Sequence, residues 1–247
     1  MTERFAVFMR GWGYASAAGW LTLLNVLVLV LALLFGEALL RVRSRRVSAL
    51  APPLTRTELV LAGVTTALNT LVSWVGWILW MRGYVRFRDD MHPAHVFADL
   101  VFLVLFMDAA MYLLHRVAHH RWLYGILHRV HHVYERPRPL TLFALNPAET
   151  LSFGALWIAV LVFHDATWLG MALYLTLNTA FGVVGHLGVE HLPRAWEKHP
   201  VLRYLASGAF HVGHHLRQGE NFGFYTSIWD RLFGTYGDPE REPSEAE

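Results

Sequence analysis

Residues 96–132 read VFADLVFLVLFMDAAMYLLHRVAHHRWLYGILHRVHH, an almost unbroken apolar run that feeds into a segment carrying six histidines. About 20 mostly apolar residues suffice to cross a bilayer as a helix, and 96–114 meets that length. Outward from it, 19–40 (GWLTLLNVLVLVLALLFGEALL) and 58–81 are runs of the same kind. Two more apolar segments, 151–163 and 168–184, are separated only by HDAT, so a hairpin is expected there. The fold class predicted is therefore an all-α integral membrane bundle. It has about four transmembrane helices plus a hairpin or interfacial helices, and a histidine-rich cap at one end.

Composition agrees. The chain is 55% hydrophobic and 16% charged, with mean hydropathy +0.34, whereas a soluble domain carries about 25% charged residues. A formal charge of +2 gives no reason to expect nucleic acid as a partner. Cysteine is absent, which excludes disulfides, iron–sulfur clusters and thiolate metal sites. The first apolar run starts late and lacks a small-residue cleavage site, so it is expected to be a retained anchor. The densest basic cluster, RVRSRR at 41–46, predicts a cytoplasmic loop. Counting spans from it places both histidine clusters on the cytoplasmic face of a multi-pass protein. Trp74, Trp77 and Trp80 suit an interfacial belt. No linker marks a second soluble domain. Residues 1–95 are expected to form N-terminal transmembrane helices with their loop, 96–237 the catalytic region, and 238–247 an acidic disordered tail.

The fifteen histidines are clustered. His115 and His119 lie one helical turn apart, the spacing by which one helix offers two imidazoles to a metal, while His120 points elsewhere. His128, His131 and His132 form H-x-x-H-H, and His211, His214 and His215 repeat it. His186 and His191 close the last apolar segment. Single histidines such as His92, His95, His164 and His199 read as ordinary surface or packing residues. The clusters do not, because so many polar rings at membrane helix ends are costly without a partner. Imidazole suits zinc, copper, iron and nickel alike, and eight to ten rings are enough for two ions.

HRVAHH, HRVHH, HVGHH and the later ENFGFYTSIWDRLFGTY, together with the approach DAAMYLLHR, resemble the fatty acid hydroxylase/sterol desaturase superfamily over about residues 100–236. Its members are integral membrane di-iron oxygenases. The resemblance implies metal ligands at His115, His119, His128, His131, His132, His211, His214 and His215, with His186 and His191 completing the set. Glu190, His120 or water are alternatives for the last place. Where the family often carries a histidine before Pro-x-Glu, this chain has Asn146-Pro147-Ala148-Glu149.

The function implied is O2-dependent hydroxylation, or less readily desaturation, of a lipid such as a sterol or fatty acyl chain. The cofactors would be two iron ions, which zinc can replace in a purified sample, with O2 as co-substrate. No flavin, nicotinamide or haem motif is present, so electrons must come from an external donor, a ferredoxin or cytochrome b5 with its reductase. The competing reading is a non-catalytic histidine-rich metal-binding or transport protein. That predicts ligands along a path through the bilayer rather than at helix ends on one side. Asp108, inside the third span, is expected to accept from a ligand's second ring nitrogen. Asp230 and Arg231 are expected to brace the C-terminal segment, and Asn221 either to sit near the metals or to cap a turn. Arg116, Arg129 and Arg217 beside the ligands could receive a head group or an electron donor.

Overall fold

The computed structural model describes residues 2–42 and 44–238. The stretch from 239 onward, most of the expected acidic tail, lies outside them. The elements are α1 (Thr2–Arg10), α2 (Tyr14–Leu40), β1 (Arg45–Arg46), α3 (Arg56–Met81), α4 (Pro93–Ala118), α5 (Tyr124–Leu127), α6 (Arg129–His132), α7 (Pro147–Phe163), α8 (Trp168–Gly185), β2 (Val189–Glu190), α9 (Gly208–Leu216) and α10 (Ile228–Phe233). Among the described residues α2, α3, α4 and α8 are long and apolar enough to cross a membrane, and α7 is a shorter apolar helix. The only sheet among them is the antiparallel pair β1–β2, so the all-α expectation holds.

Four helices, α3, α7, α8 and α9, start where the sequence supplies a side-chain cap. Thr55 Oγ1 accepts from the Glu58 amide, Asn146 Oδ1 from Ala148, Thr167 Oγ1 from Gly170 and Ser207 Oγ from Phe210. These caps satisfy donors that have no partner within the helix. Pro93 and Pro147 stand in the first turns of α4 and α7, where a missing N–H costs nothing.

The helices bury side chains against one another and leave an apolar outer surface: Leu23, Leu27 and Leu34 on α2 and Phe97, Leu105 and Leu113 on α4 are all exposed. In water such a surface would drive association; against lipid it is the expected exterior. Trp74 and Trp77 donate to the carbonyls of Tyr14 and Met9, so they fasten the N-terminal segment to the bundle. At one end of the bundle Ala32, Ala62, Val183 and Leu187 pack together. The histidines gather just beyond.

Candidate metal centre

His115 lies in the last turn of α4, and His119 is its C-cap. The chain then turns through α5 into α6, where the amides of His131 and His132 both bond to the His128 carbonyl. His186 caps α8, and His211, His214 and His215 stand on α9. Nine rings thus meet, and their nitrogens sort into two groups. One is His115, His119, His128, His132 and His214; the other is His131, His186, His211 and His215. Within each group the ligand atoms all lie within 4.8 Å of one another.

The division cuts across the sequence motifs. In each H-x-x-H-H box the outer histidines, four residues apart, share a group, while the middle one crosses to the other. His128 and His132 sit together and lend His131; His211 and His215 sit together and lend His214. Helical geometry explains the split. Positions i and i+4 project nearly alike, while i+3 lies on the other side of i.

Hydrogen bonds fix which nitrogen of several rings carries the proton. Nδ1 of His115, His186 and His214 donates to the carbonyls of Phe222 (2.9 Å), Gly182 (2.7 Å) and Glu220 (2.7 Å). Nδ1 of His128 meets the buried Glu149 carboxyl at 2.6 Å. A neutral imidazole protonated at Nδ1 presents a lone pair at Nε2, and these lone pairs face one another. His115 and His128 Nε2 are 2.9 Å apart, His132 and His214 3.0 Å, and His186 lies 3.2–3.3 Å from His211 and His131. Placing a proton on Nε2 of His132 or His131 would bond it to a neighbouring ring, but Nδ1 of His131, His132 and His215 is buried without a partner, so either tautomer leaves ring nitrogens of the cluster unpaired. Burial, then repulsion from neighbouring rings, also lowers the proton affinity of His119 to about 2 and His132 to about 3, and burial takes His186 to about 4. Inward lone pairs on uncharged rings fit a metal cation.

The remaining sequence candidates lie elsewhere. His191, expected among the ligands, is in neither group; its Nε2 bonds the Leu39 carbonyl at 3.0 Å. The reason is the β1–β2 pairing, which straightens the chain after His186 and carries position 191 away. Glu190 accepts from the Leu192 and Ala209 amides, so it serves the start of α9. His120 is exposed and packs edge-on against Trp122.

Asp108 bonds no histidine ring, contrary to expectation. It accepts from the Tyr225 and Thr226 amides, the Thr226 hydroxyl and the Trp229 indole. Asp230 does the same for the Phe222 and Gly223 amides. The two carboxylates hold 222–229 in place, so the Phe222 carbonyl meets His115. Gly223 is required by space, since a Cβ there would lie 2.2 Å from the Thr226 carbonyl oxygen. Asn221, at φ 61°, ties the start of the 221–237 segment to its end by accepting from the Gly237 amide. Glu149 had no assigned role in the sequence. Its signal was a lone carboxyl in an apolar helix three residues after a cap.

Above the rings lies a cavity of about 740 Å³, lined mainly by apolar side chains of α2, α3, α7 and α8. His115, His128, His131, His186 and His211 form part of its wall.

The sequence model of the fatty acid hydroxylase family matches residues 100–235, more than half of the chain. The chain belongs to the fatty acid hydroxylase family. Within it, the chain is 28% identical over 171 residues to lathosterol oxidase of Rattus norvegicus, covering 66% of this chain and 54% of that one. It is 31% identical over 173 residues to a Delta(7)-sterol 5(6)-desaturase of Eremothecium gossypii, covering 68% and 43%. The chain thus spans about half the length of the curated relatives it matches. No solved structure matches it.

Proposed function

We propose that the chain is a membrane oxidoreductase that uses O2 and two iron ions, one per histidine group, to oxidise a C–H bond of a lipid. The observation that carries this reading is the meeting of nine inward-facing imidazoles with an apolar cavity. The ligands would be His115, His119, His128, His132 and His214 for one ion and His131, His186, His211 and His215 for the other. Iron held there would supply O2 reduction and hydrogen abstraction, chemistry that zinc lacks. The chain's own residues would hold the rings in one tautomer, keep water from the reacting carbon with the apolar wall, and admit the lipid.

Hydroxylation and desaturation both consume one O2 and two external electrons. The names of the sterol desaturase relatives favour desaturation as a second outcome and a sterol as substrate. The electrons would come from a ferredoxin or cytochrome b5 with its reductase, on the cytoplasmic face assigned by the basic cluster at 41–46. Residues 96–237 would form the catalytic region and 1–95 the membrane wall beside it.

The test is membranes carrying the iron-loaded chain, supplied with reductase, donor and sterol or acyl lipid. Iron near two per chain, with O2 uptake matched by oxidised lipid, is the expected result. One ion per chain, or no lipid product from iron-loaded protein with reduced donor, overturns the proposal.

A further inference from the structure

The wall of the cavity above the rings differs in exposure from side to side. Its lining from α3, α4 and α7, and from the segments that carry the histidines, is buried or half-buried. The exposed lining residues are Leu24, Val28, Leu31, Phe35, Leu175 and Thr176. Every one of them stands on α2 or α8.

Helical geometry joins them into one feature. Leu24, Val28, Leu31 and Phe35 follow one another at intervals of four, three and four residues, so they form a single stripe along α2. Both helices run toward the rings, and Ala32 and Val183 share a cluster beside them. There α2 and α8 touch, for a Cβ on Gly36 would lie 3.2 Å from Val183 Cγ1. Val28 and Leu175 each stand about 12 Å back from that contact along their helices, at 1.5 Å per residue. They are 37% and 38% exposed. The helices that meet at Gly36 and Val183 have parted at this level, and the cavity reaches the outer surface between them.

The gap opens into hydrocarbon. Val28 is near the middle of α2, and stretches 22–36 and 168–185 carry no charged side chain. The hydroxyls of Thr176 and Thr179 are bonded to the carbonyls of Ala172 and Leu175. An ion or a strongly hydrated solute would lose its water there and gain no partner. The apolar chain of a bilayer lipid loses nothing, because the seam resembles the surroundings it leaves.

We propose that the seam between α2 and α8 is a lateral doorway, with Val28 and Leu175 as its jambs, through which the apolar chain of a membrane lipid slides from the bilayer into the cavity. This rests on reading the cavity as the substrate site, and it makes the width of the seam a determinant of which lipids enter.

The experiment follows entry rather than turnover. The full chain is reconstituted in phosphatidylcholine vesicles without an electron donor, and octadecane carrying a mid-chain diazirine is added. Samples are irradiated at increasing times, and the labelled residues are located by mass spectrometry. Met107 and Met111 of α4 are buried and line the cavity, while Leu105 and Phe106 of the same helix face outward. Both pairs should be labelled in the unaltered chain. Val28→Trp/Leu175→Trp should abolish labelling of the methionines and leave that of Leu105 and Phe106 unchanged, which shows an inserted, folded bundle. Val28→Ala/Leu175→Ala should speed labelling of the methionines, and it decides alone if the tryptophan pair fails to insert. Val30→Trp, on another face of α2, should behave as the unaltered chain. Unlabelled methionines in the unaltered chain overturn the proposal, as do tryptophan or alanine pairs that label them at the unaltered rate. Full conversion of Val28→Cys to a disulfide-linked dimer, in a chain with no other cysteine, would show a second copy covering the seam and overturns it too. With no turnover involved, failure of the oxygenase reading would leave the labelling pattern standing, and a closed seam would leave that reading with a different entrance.

Discussion

The two ends of α4 bury polar clusters of opposite character. At the N-terminal end Asp99 takes a bidentate contact from Arg88 at 2.8 Å, the Thr167 amide at 2.7 Å and His164 Nε2 at 3.1 Å. Charges and hydrogen bonds there are complete within the chain, and the result is a lock between α4 and the α7–α8 turn. At the C-terminal end His115 joins a crowd of rings whose nitrogens converge on one another. Histidine occurs at both ends, so residue type does not separate structure from site; completeness does. A cluster that supplies its own counter-charge is a fastening, and one whose ring nitrogens converge is a candidate ligand set.

The sharpest way to break this contrast is to remove the two crossing histidines. His131→Ala/His214→Ala takes one ring from each group; bound metal and lipid oxidation should fall to background while the helices still insert. Metal analysis beside circular dichroism checks it, and full activity would refute the site. Glu149→Gln is the next largest step. It replaces the carboxylate behind His128 with a neutral amide and should weaken metal binding about tenfold, the lower range for such supporting partners. Competition with a chelator reads this out, and the folded helix content should not change.

Asp99→Asn tests the other end. Thermal stability in detergent should fall by about 1–3 kcal/mol, since Arg88 loses its ion partner, with metal content unaltered. Metal loss equal to the stability loss would erase the distinction between the ends. The remaining test is the acid sensitivity of the metal-depleted chain. His119, His132 and His186 are held below the ordinary 6.5. Below that pH the unfolded chain takes up protons that the folded rings refuse, so stability is fully present above about 6.5 and drains away toward 4. Unfolding midpoints between pH 7.5 and 5 should show the decline, and metal-loaded protein should resist it.

Much of this was legible in the sequence. Apolar runs of the right length announced α2, α3, α4 and α8, because in lipid a helix must be apolar along nearly its whole surface. The spacing of the boxes drew eight of the nine clustered histidines, and His186 came from the segment between them. The errors have one cause: side-chain partners depend on where distant segments dock. Asp108 looked like support for a ligand because it lies two turns above His115, yet the 222–229 segment reaches it first. His191 looked like the last ligand by proximity to His186, and a two-residue strand with Arg45–Arg46 removed it. The role of Glu149 was equally unreadable, since its partner His128 comes from a different helix.

The exchange of middle histidines between the two boxes has a mechanical consequence. Moving α6 away from α9 would tear a ring out of both groups at once, so neither half can be finished while the other is open. Loading should therefore be cooperative: sub-stoichiometric metal would yield a mixture of empty and full molecules, with few chains caught holding a single ion.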